Sequence, residues 1–159
     1  MNDVIKTLFY SYPSFEGVLK ATEKLVYFKA ISSYKNNNKT LNQMEEILEL
    51  NDRAARLKQV KSMVEELIDG LLDDEKQLIE YKYFHYHMPE DFDFTSRKYF
   101  RRQLKLEKKI DARALSKGID EAWFKNNLWD VYFLRAKYLK LVLNNRISVV
   151  KNSARDRNL

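Results

Sequence analysis

Nine cationic residues, Arg97, Lys98, Arg101, Arg102, Lys105, Lys108, Lys109, Arg113 and Lys117, fall between Ser96 and Lys117 with only Glu107 and Asp111 against them. The segment is net +7, where the whole chain is +6, and such a local excess attracts polyanions, phosphate above all. At about 100° per residue in a helix, Arg97, Arg101, Lys105 and Lys108 fall at about 0, 40, 80 and 20°, and Lys98, Lys109 and Arg102 at about 100, 120 and 140°. Tyr99, Phe100, Leu104, Leu106, Ile110 and Ala114 occupy the sector from about 180 to 340° on the same wheel. One face is suited to burial and the other to an anion.

Arginine pairs bidentately with guanine, and lysine neutralises phosphate. Arg97, Lys98, Arg101 and Arg102, in the first turn and a half of such a helix, are therefore candidate base readers, and Lys105, Lys108, Lys109 and Arg113 candidate phosphate contacts. Thr95 or Ser96 is the natural N-cap, and both add donors to the anion-binding helix start.

Other reactive residue types group less tellingly. His85 and His87 flank Tyr86 near Glu80, Glu90 and Asp91, but a His-x-His pair points both rings one way only in a strand, so no metal is expected. Asp73, Asp74 and Glu75 fit capping and the helix dipole better than acid-base catalysis. There is no glycine-rich phosphate loop, and no cysteine for thiol catalysis or sulfur-ligated zinc. Neither enzymatic activity nor a cofactor is expected. The aromatics Tyr81, Tyr83, Phe84, Tyr86, Phe92 and Phe94 fit a core better than a stacking platform for single-stranded bases.

The elements that position the basic segment are helical. Three glycines and two prolines in 159 residues are too few for turn-rich β architecture. With 45% hydrophobic and 13% aromatic residues, the chain has enough apolar surface for one core, and a single domain is expected. Val4, Ile5, Leu8 and Phe9 predict a short first helix stopping at Pro13, which opens a second carrying Phe15, Val18, Leu19, Leu25 and Val26. Asn36-Asn37-Asn38 ends it, and Thr40 with Gln43 forms a capping-box pattern for the next, with Asn51-Asp52 as a place to bend. Leu57, Val60, Val64, Leu67 and Leu71 make a three-four seam, and Gly70 supplies a stop. Asp73-Asp74-Glu75 opens a helix running to Phe84, and Met88-Pro89 closes it at the latest. Gly118 ends the basic helix. Asp120 to Val150 is the most apolar stretch, read as a helix buried on more than one side, either the core's central helix or a homodimer interface. Residues 151–159 are a basic tail.

Charge is also laid out in blocks. Glu65 to Asp93 carries ten acids against Lys76 and Lys82, a net of −8, and the residues from Arg135 onward are net +6. The acidic block is placed to neutralise the basic face within the molecule or across a dimer.

Leu72-Asp73-Asp74-Glu75-Lys76-Gln77-Leu78-Ile79-Glu80-Tyr81-Lys82-Tyr83-Phe84, followed by Thr95-Ser96-Arg97-Lys98-Tyr99-Phe100-Arg101-Arg102, resembles the promoter-reading C-terminal region of bacterial sigma factors. It is more similar to the sigma-related late-gene activators of phages of Gram-positive bacteria, the ArpU and RinA type, over about residues 71–109. The family joins its two helices through a small scaffold helix with an Ile-Ala pair, where this chain has only His85 to Thr95. The resemblance implies sequence-specific binding of duplex DNA, activation of transcription, and RNA polymerase or another regulatory protein as partner.

The expected fold is all-α: a helical bundle of five to six helices, comprising N-terminal helices over 1–70, a helix-turn-helix-like centre over 71–117 and a long apolar C-terminal helix over 119–150. The expected function is non-enzymatic DNA binding with a role in transcription regulation. The alternative is a helical protein-protein adaptor or inhibitor that binds through the acidic block and the C-terminal helix, and a binder of structured RNA comes third. No secretory signal and no apolar run of spanning length is present, so a cytoplasmic protein without membrane contact is expected.

Overall fold

A computed structural model describes residues 1–35, 40–85 and 97–156. Among these residues the chain is all-helical, with six α-helices and no strand. They are α1 (Asp3–Lys35), α2 (Thr40–Asp69), α3 (Asp73–Ile79, prolonged by a wider turn over Glu80–Phe84), α4 (Arg97–Ser116), α5 (Glu121–Leu128) and α6 (Tyr132–Asp156). The chain divides into two compact units, one of Met1–Ser11 with Leu71–Leu159, the other of Tyr12–Gly70.

The Tyr12–Gly70 unit is an antiparallel hairpin of α1 and α2. Tyr12 donates to Glu65 at 2.8 Å, Lys61 meets Glu16 at 3.1 Å and Lys58 meets Glu23 at 3.4 Å, with Lys29 on Glu46 further along. Between the helices, Phe15 and Leu19 of α1 and Leu57, Val60, Val64 and Leu67 of α2 are buried, which is the expected seam. Two expectations fail here. Pro13 does not separate two helices but lies inside α1. Its missing N–H and its ring cost about 3 kcal/mol in a helix interior, less than burial of Ile5, Leu8 and Phe9 on one side and Phe15 and Leu19 on the other returns at about 1.5–3 kcal/mol per side chain. Nor does α2 break at Asn51-Asp52: Asn51 faces solvent, and Asp52 pairs with Arg56 one turn on at 3.0 Å. Asn36-Asn37-Asn38 and the Thr40 side chain lie outside the described residues.

In the other unit, α3 opens as its sequence predicts. Asp73, Asp74 and Glu75 form the first turn, and Glu75 reaches back to accept the Leu72 N–H at 3.0 Å. At α-helical spacing Phe84 would lie about 140° round from Ile79. The wider i→i+5 turn over Glu80–Phe84, closed by the His85 N–H donating to the Glu80 carbonyl, keeps both Tyr83 and Phe84 buried. Phe9 packs edge-on against both rings at 5.6 and 6.2 Å. His85 then takes the left-handed conformation, φ 59°, and ends the helix.

α4 ends in a Schellman turn at Gly118, φ 71°. The Ile119 N–H reaches the Ala114 carbonyl and the Gly118 N–H the Leu115 carbonyl, both at 2.9 Å, while the Ile119 side chain is buried.

The stretch read as one apolar helix divides into α5, capped by Asp120 accepting from the Trp123 N–H at 2.7 Å, and α6. Phe124 and Tyr138 are fourteen residues apart, about 21 Å along an unbroken helix, yet their ring centroids lie 5.0 Å apart. The break at 129–131 folds α5 back so that Phe124, Leu128, Leu134 and Tyr138 are buried together. The opposite side of α6 stays exposed: Tyr132, Leu139, Leu143 and Ile147 are 46–74% accessible.

Candidate nucleic-acid interface

The buried stripe of α4 consists of Gln103, Leu106, Glu107, Ile110 and Ala114. It is narrower than the apolar sector expected from the wheel, and it includes two polar residues. Phe100 and Leu104, expected inside, are 62% and 56% exposed.

Glu107 accounts for the difference. Its Oε1 accepts from Lys82 Nζ at 2.6 Å, from the Tyr83 hydroxyl at 2.9 Å and from Gln103 Nε2 at 3.3 Å. Burial pushes its pKa up, but the hydrogen bonds from Lys82, Tyr83 and Gln103 outweigh burial and hold it down at about 2. Burial, together with the Glu107 charge, moves the Tyr83 phenol well above its ordinary range. A carboxylate so satisfied takes the place that an apolar side chain would fill, and it turns the wheel of α4. The helix axis is also fixed from one flank, where Asp111 accepts the Asn2 N–H at 2.8 Å.

The expected cations sort into two groups. Arg97, Lys98, Arg101, Lys105 and Lys108 are exposed and have no ion-pair partner among the described residues. At about 0, 100, 40, 80 and 20° they lie on the side of α4 opposite the buried stripe. Lys98, Arg101, Arg102, Leu104, Lys105 and Lys108 line a shallow cleft of about 510 Å³, a wall of five cations and one leucine.

Arg102, Lys109 and Arg113 instead lie toward the acidic start of α3. Arg102 pairs with Asp74, Lys109 meets Glu75 at 2.7 Å, and the Arg113 charge also acts on Glu75. Burial works against the charged form of Glu75, yet the Lys109 ammonium, the Leu72 N–H and Arg113 carry its pKa below the usual carboxylate range. The acidic block thus neutralises one edge of α4 through Asp74 and Glu75. Ser96, with Thr95, lies outside the described residues, as do His87 and most of the connector 85–95.

Sequence reasoning missed Gln103 and Glu107 as the residues that orient the cation face. The signal was present: Glu107 falls at about 280°, an acid within the apolar sector. Among the described residues there is no group of three or more His, Asp or Glu that could hold a metal ion, and no helix long and apolar enough to cross a membrane. No family model matches the chain, nor does any curated protein or solved structure.

Proposed function

We propose that this chain is a non-enzymatic DNA-binding protein that reads duplex DNA with α4 and regulates transcription. The observation that carries the reading is the outer face of α4, where Arg97, Lys98, Arg101, Lys105 and Lys108 project from a helix held from behind by Glu107. A rigid row of cations at helical spacing matches phosphates along a groove, and the residues nearest the helix start are those that reach base edges.

Phe100 and Leu104 beside the cations add apolar surface of the kind that meets a thymine methyl group. α3 lies against α4 through Asp74, Glu75, Lys82 and Tyr83, which supports a helix-turn-helix-like reading of 71–117 with α3 as the bracing helix and α4 as the recognition helix. The likeness to sigma-related phage activators extends the reading to transcription, with RNA polymerase or another regulatory protein as the protein partner.

The test is binding of a labelled duplex by the wild type and by Arg101→Ala/Lys105→Ala/Lys108→Ala, followed by fluorescence anisotropy. All three side chains project into solvent, so the variant should keep its helical circular dichroism and melting temperature while losing at least about tenfold in affinity. Unchanged affinity would refute the assignment of this face.

A further inference from the structure

Charge alone does not account for the outer face of α4. From Arg97 to Lys108 the exposed residues are the five cations Arg97, Lys98, Arg101, Lys105 and Lys108 and two large apolar side chains, Phe100 and Leu104. A face that met only phosphate would gain nothing from the two, since each keeps apolar surface in water. Their placement is regular. They stand one helical turn apart, at about 300 and 340°, each three residues after an arginine, Arg97 and Arg101 at about 0 and 40°. The Phe100 ring is held edge-on by Tyr99, the centroids 5.3 Å apart, and Leu104 stands within the cationic cleft.

A duplex offers a helix in its grooves one kind of apolar group. The base edges of the major groove carry hydrogen-bond donors and acceptors, and thymine alone adds a methyl group, at C5; the minor groove shows none. Four residues of helix rise about 6 Å, and two base-pair steps about 7 Å. The two apolar side chains are thus spaced to meet two methyl groups that stand about two steps apart.

We propose, resting on the reading of α4 as a DNA-binding helix, that Phe100 and Leu104 are specificity-determining residues that read the methyl groups of two thymines about two base pairs apart in the major groove. Arg97 and Arg101 lie beside them to hold the neighbouring base edges or phosphates. The ligand is then duplex DNA that contains thymine. An RNA helix fails twice, because uracil lacks the methyl group and because the major groove of an A-form helix is too narrow for side chains to read.

Titration of the full chain with two alternating duplexes, poly(dA-dT) and poly(dA-dU), tests it. Thymines recur every second step along each strand of the first, and the second differs only in lacking their methyl groups. Burial of one methyl group against an apolar side chain is worth about fourfold in affinity, so the wild type should prefer poly(dA-dT) by about four- to fifteenfold. Phe100→Ala/Leu104→Ala should bind the two duplexes alike, with helical circular dichroism unchanged and affinity for poly(dA-dU) close to that of the wild type. Equal affinity of the wild type for both duplexes, each falling with salt, overturns the methyl readout and leaves the reading of α4 standing. A preference for poly(dA-dT) that survives in Phe100→Ala/Leu104→Ala overturns it as well, because other residues then make the distinction. Absence of binding to either duplex overturns the reading of α4 and this inference with it.

Discussion

Glu107 is the residue on which the orientation of α4 turns, and its chemistry sets a pH dependence. Its folded pKa of about 2 lies below the ordinary 4.5, so the stability it contributes is complete above the ordinary carboxyl range. That stability is lost as the pH falls from about 4.5 toward 2, where the folded state must also take up the proton. Glu107→Gln should lower unfolding free energy at pH 7 by up to roughly 3 kcal/mol, and the gap to wild type should close as the pH approaches 2. Chemical denaturation at pH 7 and at pH 2.5 checks both the size and the sign. Two backbone positions give a second pair of expectations. His85 carries a side chain at φ 59°, and a left-handed residue costs about 1–2 kcal/mol outside glycine. The ring stacks on Tyr10 at 6.3 Å, which offsets part of that. His85→Gly should therefore raise the urea midpoint, and a lowered midpoint would mean that the stack is worth more than the strain. At Gly118 an added Cβ would meet nothing within 4 Å, so Gly118→Ala should cost about 1 kcal/mol through the backbone alone.

At the scale of elements, the start of α3 and the basic helix are coupled. Asp74 and Glu75 serve the dipole of α3 and also hold Arg102 and Lys109 of α4. Under the proposed function these acids compete with phosphate for the same two cations. Asp74→Asn/Glu75→Gln should tighten binding to duplex DNA and steepen its salt dependence by up to about two phosphate equivalents, while lowering thermal stability through the lost N-terminal charge. Titrating the variant and the wild type side by side with one duplex measures both effects. The element boundaries were unevenly legible in the sequence. Gly70, Asp73-Asp74-Glu75, Gly118 and Asp120 ended or opened helices where their chemistry says they should, because each acts through its own backbone or side chain. Pro13 and the break at 129–131 were not legible, because tertiary burial overruled Pro13 and because a ring contact across fourteen residues, Phe124 on Tyr138, bent the chain where no glycine or proline marks it.

At the scale of the whole molecule, composition sufficed for an all-helical architecture, since few glycines and prolines and long three-four apolar patterns leave little else. The basic face of α4 was legible as a count of charges, but which cations stay free was not. That depended on the acids of α3 lying beside Arg102 and Lys109, and on Glu107 turning the helix so that Phe100 and Leu104 face outward with the cations. The exposed side of α6 was visible only as apolar residues, and its being unused within its own unit is a property of packing. The central claim is that five cations on α4 meet a polyanion, and the salt dependence of DNA binding by the unaltered chain tests it most directly. With five free cations, log affinity should fall linearly with log salt with a slope of about −4 to −5. An affinity that is undetectable at low salt, or one that stays flat between about 50 and 200 mM salt, would contradict the account.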